Sequence, residues 1–137
     1  MRRVSGLIVA LFVTATVCGT ANAQDTLKKI KDSGTITLGH RDTSIPFSYY
    51  DDKQQVVGYA MDICMKVVDA VKAELKMPKI DVKLNPVTSA TRIPLMANGT
   101  IDLECGSTTN NLSRQEQVWF SNTTYVTANR LDRKSVV

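Results

Sequence analysis

Apolar positions along this chain switch repeatedly between a spacing of two and a spacing of three to four. Side chains alternate faces along a strand and return to one helix face every three or four residues, so each switch marks a change of element. Thr35-Ile36-Thr37-Leu38 alternates polar and apolar and predicts a strand. Ile80, Val82, Leu84 and Val87 predict a second, and Ile101–Cys105 a third. Gly58–Met77 carries Met61, Cys64, Met65, Val68, Val71 and Leu75 on one helical face, and Pro78 stops it. Asp25–Asp32 predicts a short helix ended by Ser33-Gly34. Pro94 has no N–H to donate, which suits a first helical turn, so a helix should start around Ala90–Ile93 and close at Asn98-Gly99. Ser113-Arg114-Gln115-Glu116 has the form of a capping box and predicts a helix start at Ser113. Phe120–Asn129 is rich in β-branched residues and predicts a final extended run. Phe47–Tyr50 reads as extended and Asp51–Gln55 as a polar turn.

The order is α-β-α-β-α-β-α-β. Strands alternating with helices predict an α/β fold with a parallel-rich sheet flanked by helices. There is no internal repeat and no low-complexity tract.

The first residues modify this picture. Arg2 and Arg3 precede an uncharged apolar stretch, Val4–Val17, and Ala21-Asn22-Ala23 offers the small residues of a cleavage site. Residues 1–23 therefore read as a secretory signal peptide, with Cys18 inside it. The stretch is too short for a comfortable membrane span. Removing 23 of the 137 residues leaves 114, enough for one lobe with one core. The net charge of +4 loses the two leader arginines and falls to +2. So small an excess argues against nucleic acid as a partner. Cys64 and Cys105 remain, and three states stay open for them: two buried free thiols, one bridge, or a bridge to a segment outside this chain. His40 is the only histidine and no CxxC pair exists, so no zinc site is expected. No cofactor is implied.

Three arginines carry the candidate chemistry. Arg41, Arg92 and Arg114 each follow a predicted strand, and each lies near hydroxyl or amide side chains. In an open parallel sheet, ligands bind outside the carboxyl ends of the strands. A guanidinium is a planar donor fork that fits a carboxylate or phosphate. Arg114 falls in a predicted first helical turn, an awkward place for a cation unless an anion sits beside it. Its competing partners are Glu116 and Glu104. Ser89 either serves Arg92's site or caps the helix, and Arg41 can pair with Asp42. His40 fits a structural hydrogen-bonding role better than a catalytic one. Trp119 is assigned to the core. No GxSxG, HExxH or Gly-rich phosphate loop is present, and Asp102 and Glu104 alternate along a strand without forming an evident acid/base pair.

The chain resembles the periplasmic solute-binding proteins of polar amino acid ABC transporters, and most of all their glutamate/aspartate-binding members. The resemblance rests on Gly39-His40-Arg41-Asp42, Pro46–Asp51, Val57–Ile63, Pro86–Leu95, Asn98–Asn111 and Arg114–Val118 with Phe120–Thr123, and runs from about Leu27 to Arg130. It implies one lobe of the type II periplasmic-binding-protein fold. It implies that Ser107, Thr109 and Arg114 hold a ligand α-carboxylate, and that Arg41, Ser89 and Arg92 hold a side-chain carboxylate. Ala60 departs from the broad family, which usually has an acid there. A second lobe, which in the family carries the acid that grips the ligand amine, is missing after a hinge near Arg130, and Leu131–Val137 does not look like the family's continuation.

The expectation is therefore a monomeric, periplasmic first lobe spanning residues 24–130, followed by an atypical tail, 131–137. Its full-length counterpart would deliver an acidic amino acid to an ABC transporter permease without catalysis, and the lobe alone would bind weakly or not at all. A dehydratase-like enzyme on the same fold and a sensory ligand-binding module are the alternatives.

Overall fold

A computed structural model describes residues 23–127 of the chain. The expected signal peptide up to residue 22, the expected hinge near Arg130 and the expected tail 131–137 lie outside those residues. Four helices and six strands follow in the order α1 (Ala23–Ser33), β1 (Thr35–His40), β2 (Thr43–Ser44), β3 (Ser48–Tyr50), β4 (Val56–Val57), α2 (Tyr59–Glu74), β5 (Asp81–Pro86), α3 (Arg92–Ala97), β6 (Leu103–Cys105) and α4 (Leu112–Gln115).

The main sheet has the order β5-β1-β6 and is wholly parallel. β1 is the central strand and carries the most deeply buried sequence: Ile36, Leu38, Gly39 and His40 are all buried. The registers His40↔Pro86 and His40↔Cys105 bring the carboxyl ends of all three strands abreast. This is the edge from which the segments carrying the candidate arginines depart.

The core lies between the sheet and α2, where Ile36, Leu38, Met61, Cys64, Val68 and Cys105 meet, with Ile30 of α1 and Ile80 closing one end. Burying an aliphatic side chain of this size stabilises by about 1.5–3 kcal/mol. The helical stripe read for α2 is largely present, but Met65 is exposed. A helix against a small sheet buries only one stripe, and Met65 lies beyond it.

A disulfide joins Cys64 of α2 to Cys105 of β6, with the Cα atoms 6.0 Å apart. One bridge is thus the state adopted. α1 is tied to the sheet by Lys29, which donates to Asp102 Oδ1 at 2.8 Å and to the Gly99 carbonyl at 2.8 Å. Asp102 Oδ2 accepts the Thr37 amide at 2.9 Å.

Three sequence expectations are corrected. Residues 43–57 hold a second, antiparallel sheet of order β2-β3-β4. Its strands are two or three residues long, too short for a periodic pattern to show. The expected last strand, Phe120–Asn129, is absent from its described part, residues 120–127. That run instead lies as an irregular strap, with the Tyr125 ring stacked on Phe47 at 4.2 Å and the Thr124 carbonyl accepting the Tyr59 hydroxyl at 2.9 Å. Trp119 is not core at all; it is 92% exposed. Without a strand partner to pin the strap, its apolar content does not dictate which ring turns inward.

Candidate functional site

The loops leaving β1, β5 and β6 build the site. Arg41 leaves β1 with its backbone fixed by Ser48, a fully buried serine whose Oγ accepts the Arg41 amide at 2.9 Å. Its guanidinium reaches across to β5's loop, donating to Ser89 Oγ at 3.0 Å. Two predicted site residues from separate segments are therefore in direct contact. Ser89 does not cap α3; Thr91 holds the cap position and makes no side-chain cap bond. The alternative pairing of Arg41 with Asp42 is not among the ion pairs of the described residues.

Arg92 opens α3, and Pro94 falls in the same first turn, where its missing N–H has no helical partner to lose. Arg92 is buried, at 7% exposure. Its nearest ion-pair partner is Glu104 on β6, with Nη1 and Oε1 3.8 Å apart. That separation is too long for a hydrogen bond. Arg92 Nε, Arg92 Nη1, Glu104 Oε1, Arg41 Nε and Thr108 Oγ1 are all buried without a partner. Burial pulls the Arg92 guanidinium below its ordinary range, and the neighbouring Arg41 and Arg114 add to this while Glu104 opposes it. Burial likewise pushes the Glu104 carboxyl up, against the pull of Thr108, Arg92, Arg41 and Arg114.

Arg114 sits in α4, a four-residue helix. The cap is Asn111, not Ser113 as the capping-box pattern predicts: Asn111 has extended backbone angles and its Oδ1 accepts the Arg114 amide at 3.0 Å. Asparagine is as good a cap as serine, and it comes first along the chain. A single turn carries little macrodipole, so the dipole argument for an anion at Arg114 loses force. The guanidinium turns back to donate to the Thr109 carbonyl at 2.9 Å, and it pairs with neither Glu116 nor Glu104 within salt-bridge distance. Thr109 thus meets Arg114 through its backbone. Ser107 pairs with Ser44 of β2 at 2.9 Å between the hydroxyls.

Sequence reasoning missed the centre of this arrangement. Glu104 stands 3.8 Å from the buried Arg92, where the sequence suggests only a surface partner for Arg114 or one of two alternating acids. The available signal was a glutamate one residue before a buried strand end and a glycine, at the edge where the arginines were expected. Gly106 permits the approach: a Cβ there would stand 2.5 Å from Glu104 Oε1 and 3.1 Å from Arg41 Cγ. Ser44 and Ser48 were also missed, since both depend on the small antiparallel sheet.

His40 is 2% exposed, with Nδ1 3.1 Å from the Arg41 carbonyl and its ring edge-on to Tyr50. That is a structural role. A cavity of about 380 Å³ lies beside the cluster, with Arg92, Glu104 and Thr108 at its polar end and α2, Val118 and Tyr125 along its sides. No cluster of three or more His, Cys, Asp or Glu able to hold a metal occurs among the described residues. No helix among them is long and apolar enough to cross a membrane.

The carboxyl edge of the small parallel sheet thus presents a buried Arg92 whose Nε and Nη1 have no acceptor, beside Arg41, whose Nη1 is held by Ser89 and whose Nε has none. The chain belongs to the bacterial extracellular solute-binding proteins, family 3, whose profile matches residues 36–135. It is 51% identical over 132 residues to the glutamate/aspartate import solute-binding protein of Salmonella typhimurium, covering 91% of this chain and 44% of that one. It is 57% identical over 118 residues to the L-glutamate/L-aspartate-binding protein of Pseudomonas aeruginosa, covering 85% and 39%. The chain thus spans less than half the length of these curated relatives. Among solved structures, a mutant of the arginine-bound form of domain 1 from TmArgBP superposes with a TM-score of 0.63 at 21% identity, covering 72% of this chain and 71% of that one. That likeness supports the fold, a lobe of the type II periplasmic-binding-protein class.

Proposed function

We propose that this chain is the first lobe of an extracytoplasmic receptor for an acidic amino acid, glutamate or aspartate, which hands its ligand to an ABC transporter permease. One observation carries the reading: Arg92, buried and 3.8 Å from Glu104, has Nε and Nη1 without acceptors, and Arg41, held by Ser89 from a separate segment, has a buried Nε without one. Unpaired buried donors are costly, and a ligand carboxylate satisfies them. Two carboxylates would be shared between Arg41, Ser89 and Arg92 on one side and Ser107, Thr109 and Arg114 on the other. The names of the relatives at 51% and 57% identity support the ligand class. Those relatives are binding proteins, which favours capture over catalysis, and the burial of His40 leaves a dehydratase-like reading without an accessible imidazole base. Export through residues 1–23 and a monomeric state complete the reading.

Binding by these residues alone should be weak, because the chain spans less than half the length of its curated relatives and one lobe makes only part of a ligand's contacts. In TmArgBP, domain 1 is described as arginine-bound, so in that protein a single lobe holds an amino acid. We expect L-glutamate to bind this chain with Kd between about 1 µM and 1 mM. Calorimetry with L-glutamate, L-glutamine and L-lysine tests it. Arg92→Ala should abolish the L-glutamate signal. Equal binding of L-lysine would overturn the ligand class, and submicromolar affinity would overturn the single-lobe argument.

A further inference from the structure

Glu104 has no place in the ligand grip just described, yet it is the acid that faces the buried Arg92. Its side chain is 15% exposed, and that of Arg92 is 8% exposed. Glu104 Oε1 and Arg92 Nη1 face each other at 3.8 Å, both buried and both without a hydrogen-bond partner. A carboxylate that merely neutralised Arg92 would close to a bidentate contact of about 2.8 Å. The gap leaves the guanidinium oriented but not consumed. Gly106 keeps the space beside Glu104 open, since any Cβ there would press on Oε1.

We propose that Glu104 is a positioning residue of the anion site, which holds Arg92 by charge while the site is empty and takes up a proton when a ligand carboxylate docks beside it. The proposal rests on the acidic-ligand reading above. The reason is a competition between like charges. An incoming carboxylate neutralises the guanidinium groups that keep Glu104 ionised, and it places a second negative charge close by. Both effects favour the protonated form of Glu104. The groups facing Glu104 are Arg41 after β1, Arg92 on α3, Arg114 on α4 and Tyr125 on the strap. From α2 the cavity receives only Ala60, Ile63, Val67 and the disulfide-bonded Cys64, so that helix supplies no proton acceptor. Burial already raises the Glu104 carboxyl in the ligand-free state, the same direction in which a docking carboxylate would push it. The bound ligand then meets a site of three positive charges and no opposing negative one. That favours ligands with a side-chain carboxylate over their neutral amides.

Two measurements test this on the purified chain. The first is calorimetry of L-glutamate at about pH 6 in buffers of different ionisation enthalpy. The expected result is uptake of a fraction of a proton, up to about one per ligand, in the wild type and none in Glu104→Gln. Uptake that persists unchanged in Glu104→Gln, or a buffer-independent heat in the wild type, overturns the proposal. The second needs no ligand: thermal unfolding of the wild type and Glu104→Gln across pH 4–8. A carboxyl raised on folding contributes stability at low pH that is lost as pH rises through its folded value. The wild type should show that loss and Glu104→Gln should not; coincident profiles overturn the proposal. If the profiles diverge but L-glutamate produces no heat, ligand docking on this lobe and the proton uptake that goes with it are overturned, while the charge pairing of Glu104 with Arg92 stands. Should Glu104→Gln fail to fold, the buffer dependence of the wild-type heat decides alone.

Discussion

Breaking the Cys64–Cys105 bridge is the most informative single perturbation of this lobe. The bridge spans a sequence separation of 41 residues. In the chain-entropy description, releasing a loop of that size restores about 13 cal/mol/K to the unfolded chain, or about 4 kcal/mol at 25 °C. Both cysteines are buried, at 5% and 1% exposure, and two thiols fill nearly the same space, so reduction adds little cavity cost. A domain of this size has about 5–15 kcal/mol of stability in total, so the loss is a large share of it. The assay is urea unfolding followed by circular dichroism, with and without reductant, the free thiols being confirmed by mass. With an m-value of about 1.5 kcal/mol/M, the midpoint should drop by about 2–3 M, or the reduced chain should be unfolded before urea is added. A drop below about 0.5 M in a verified reduced sample would refute the reasoning. The bridge also matters to the site, because Cys105 lies between Glu104 and Gly106, and α2 holds that strand end in register through it.

Gly58 has φ +130° and an added Cβ would stand 2.5 Å from the Phe47 carbonyl oxygen, so Gly58→Ala should cost about 2–3 kcal/mol, read as a lowered Tm. Asp102 accepts from Lys29 and from the Thr37 amide, so Asp102→Ala should lose about 2–4 kcal/mol in urea unfolding, and Asp102→Asn, which keeps an acceptor, should lose less. Trp119→Ala should change stability by no more than about 0.5 kcal/mol, since the ring is exposed; a loss of 3 kcal/mol or more would restore the core assignment.

Much of the fold was legible because its signals are local. Ile36 and Leu38 alternate with polar neighbours, Met61, Cys64 and Val68 recur at helical spacing, and Pro78 and Pro94 act on the backbone whatever surrounds them. These patterns placed the α1, β1, α2, β5, α3 and β6 segments to within a few residues, and the alternation of types implied the parallel sheet. Where two local signals competed, at Asn111 and Ser113, the pattern picked the wrong cap, because both residues are competent and only the backbone angles choose.

Position relative to distant residues could not be read in this way. Arg41 meeting Ser89 across 48 residues, Ser44 meeting Ser107 across 63, and the pairing of the two cysteines all require the sheet order β5-β1-β6, which brings three strand ends to one edge. The exposure of Trp119 and the inward turn of Tyr125 depend on which surface the strap finds, not on its composition. Glu104 shows the division most clearly. Its residue type and its strand were in the sequence, but only folding brings it within 3.8 Å of Arg92, and charge–charge coupling depends on distance in space rather than along the chain.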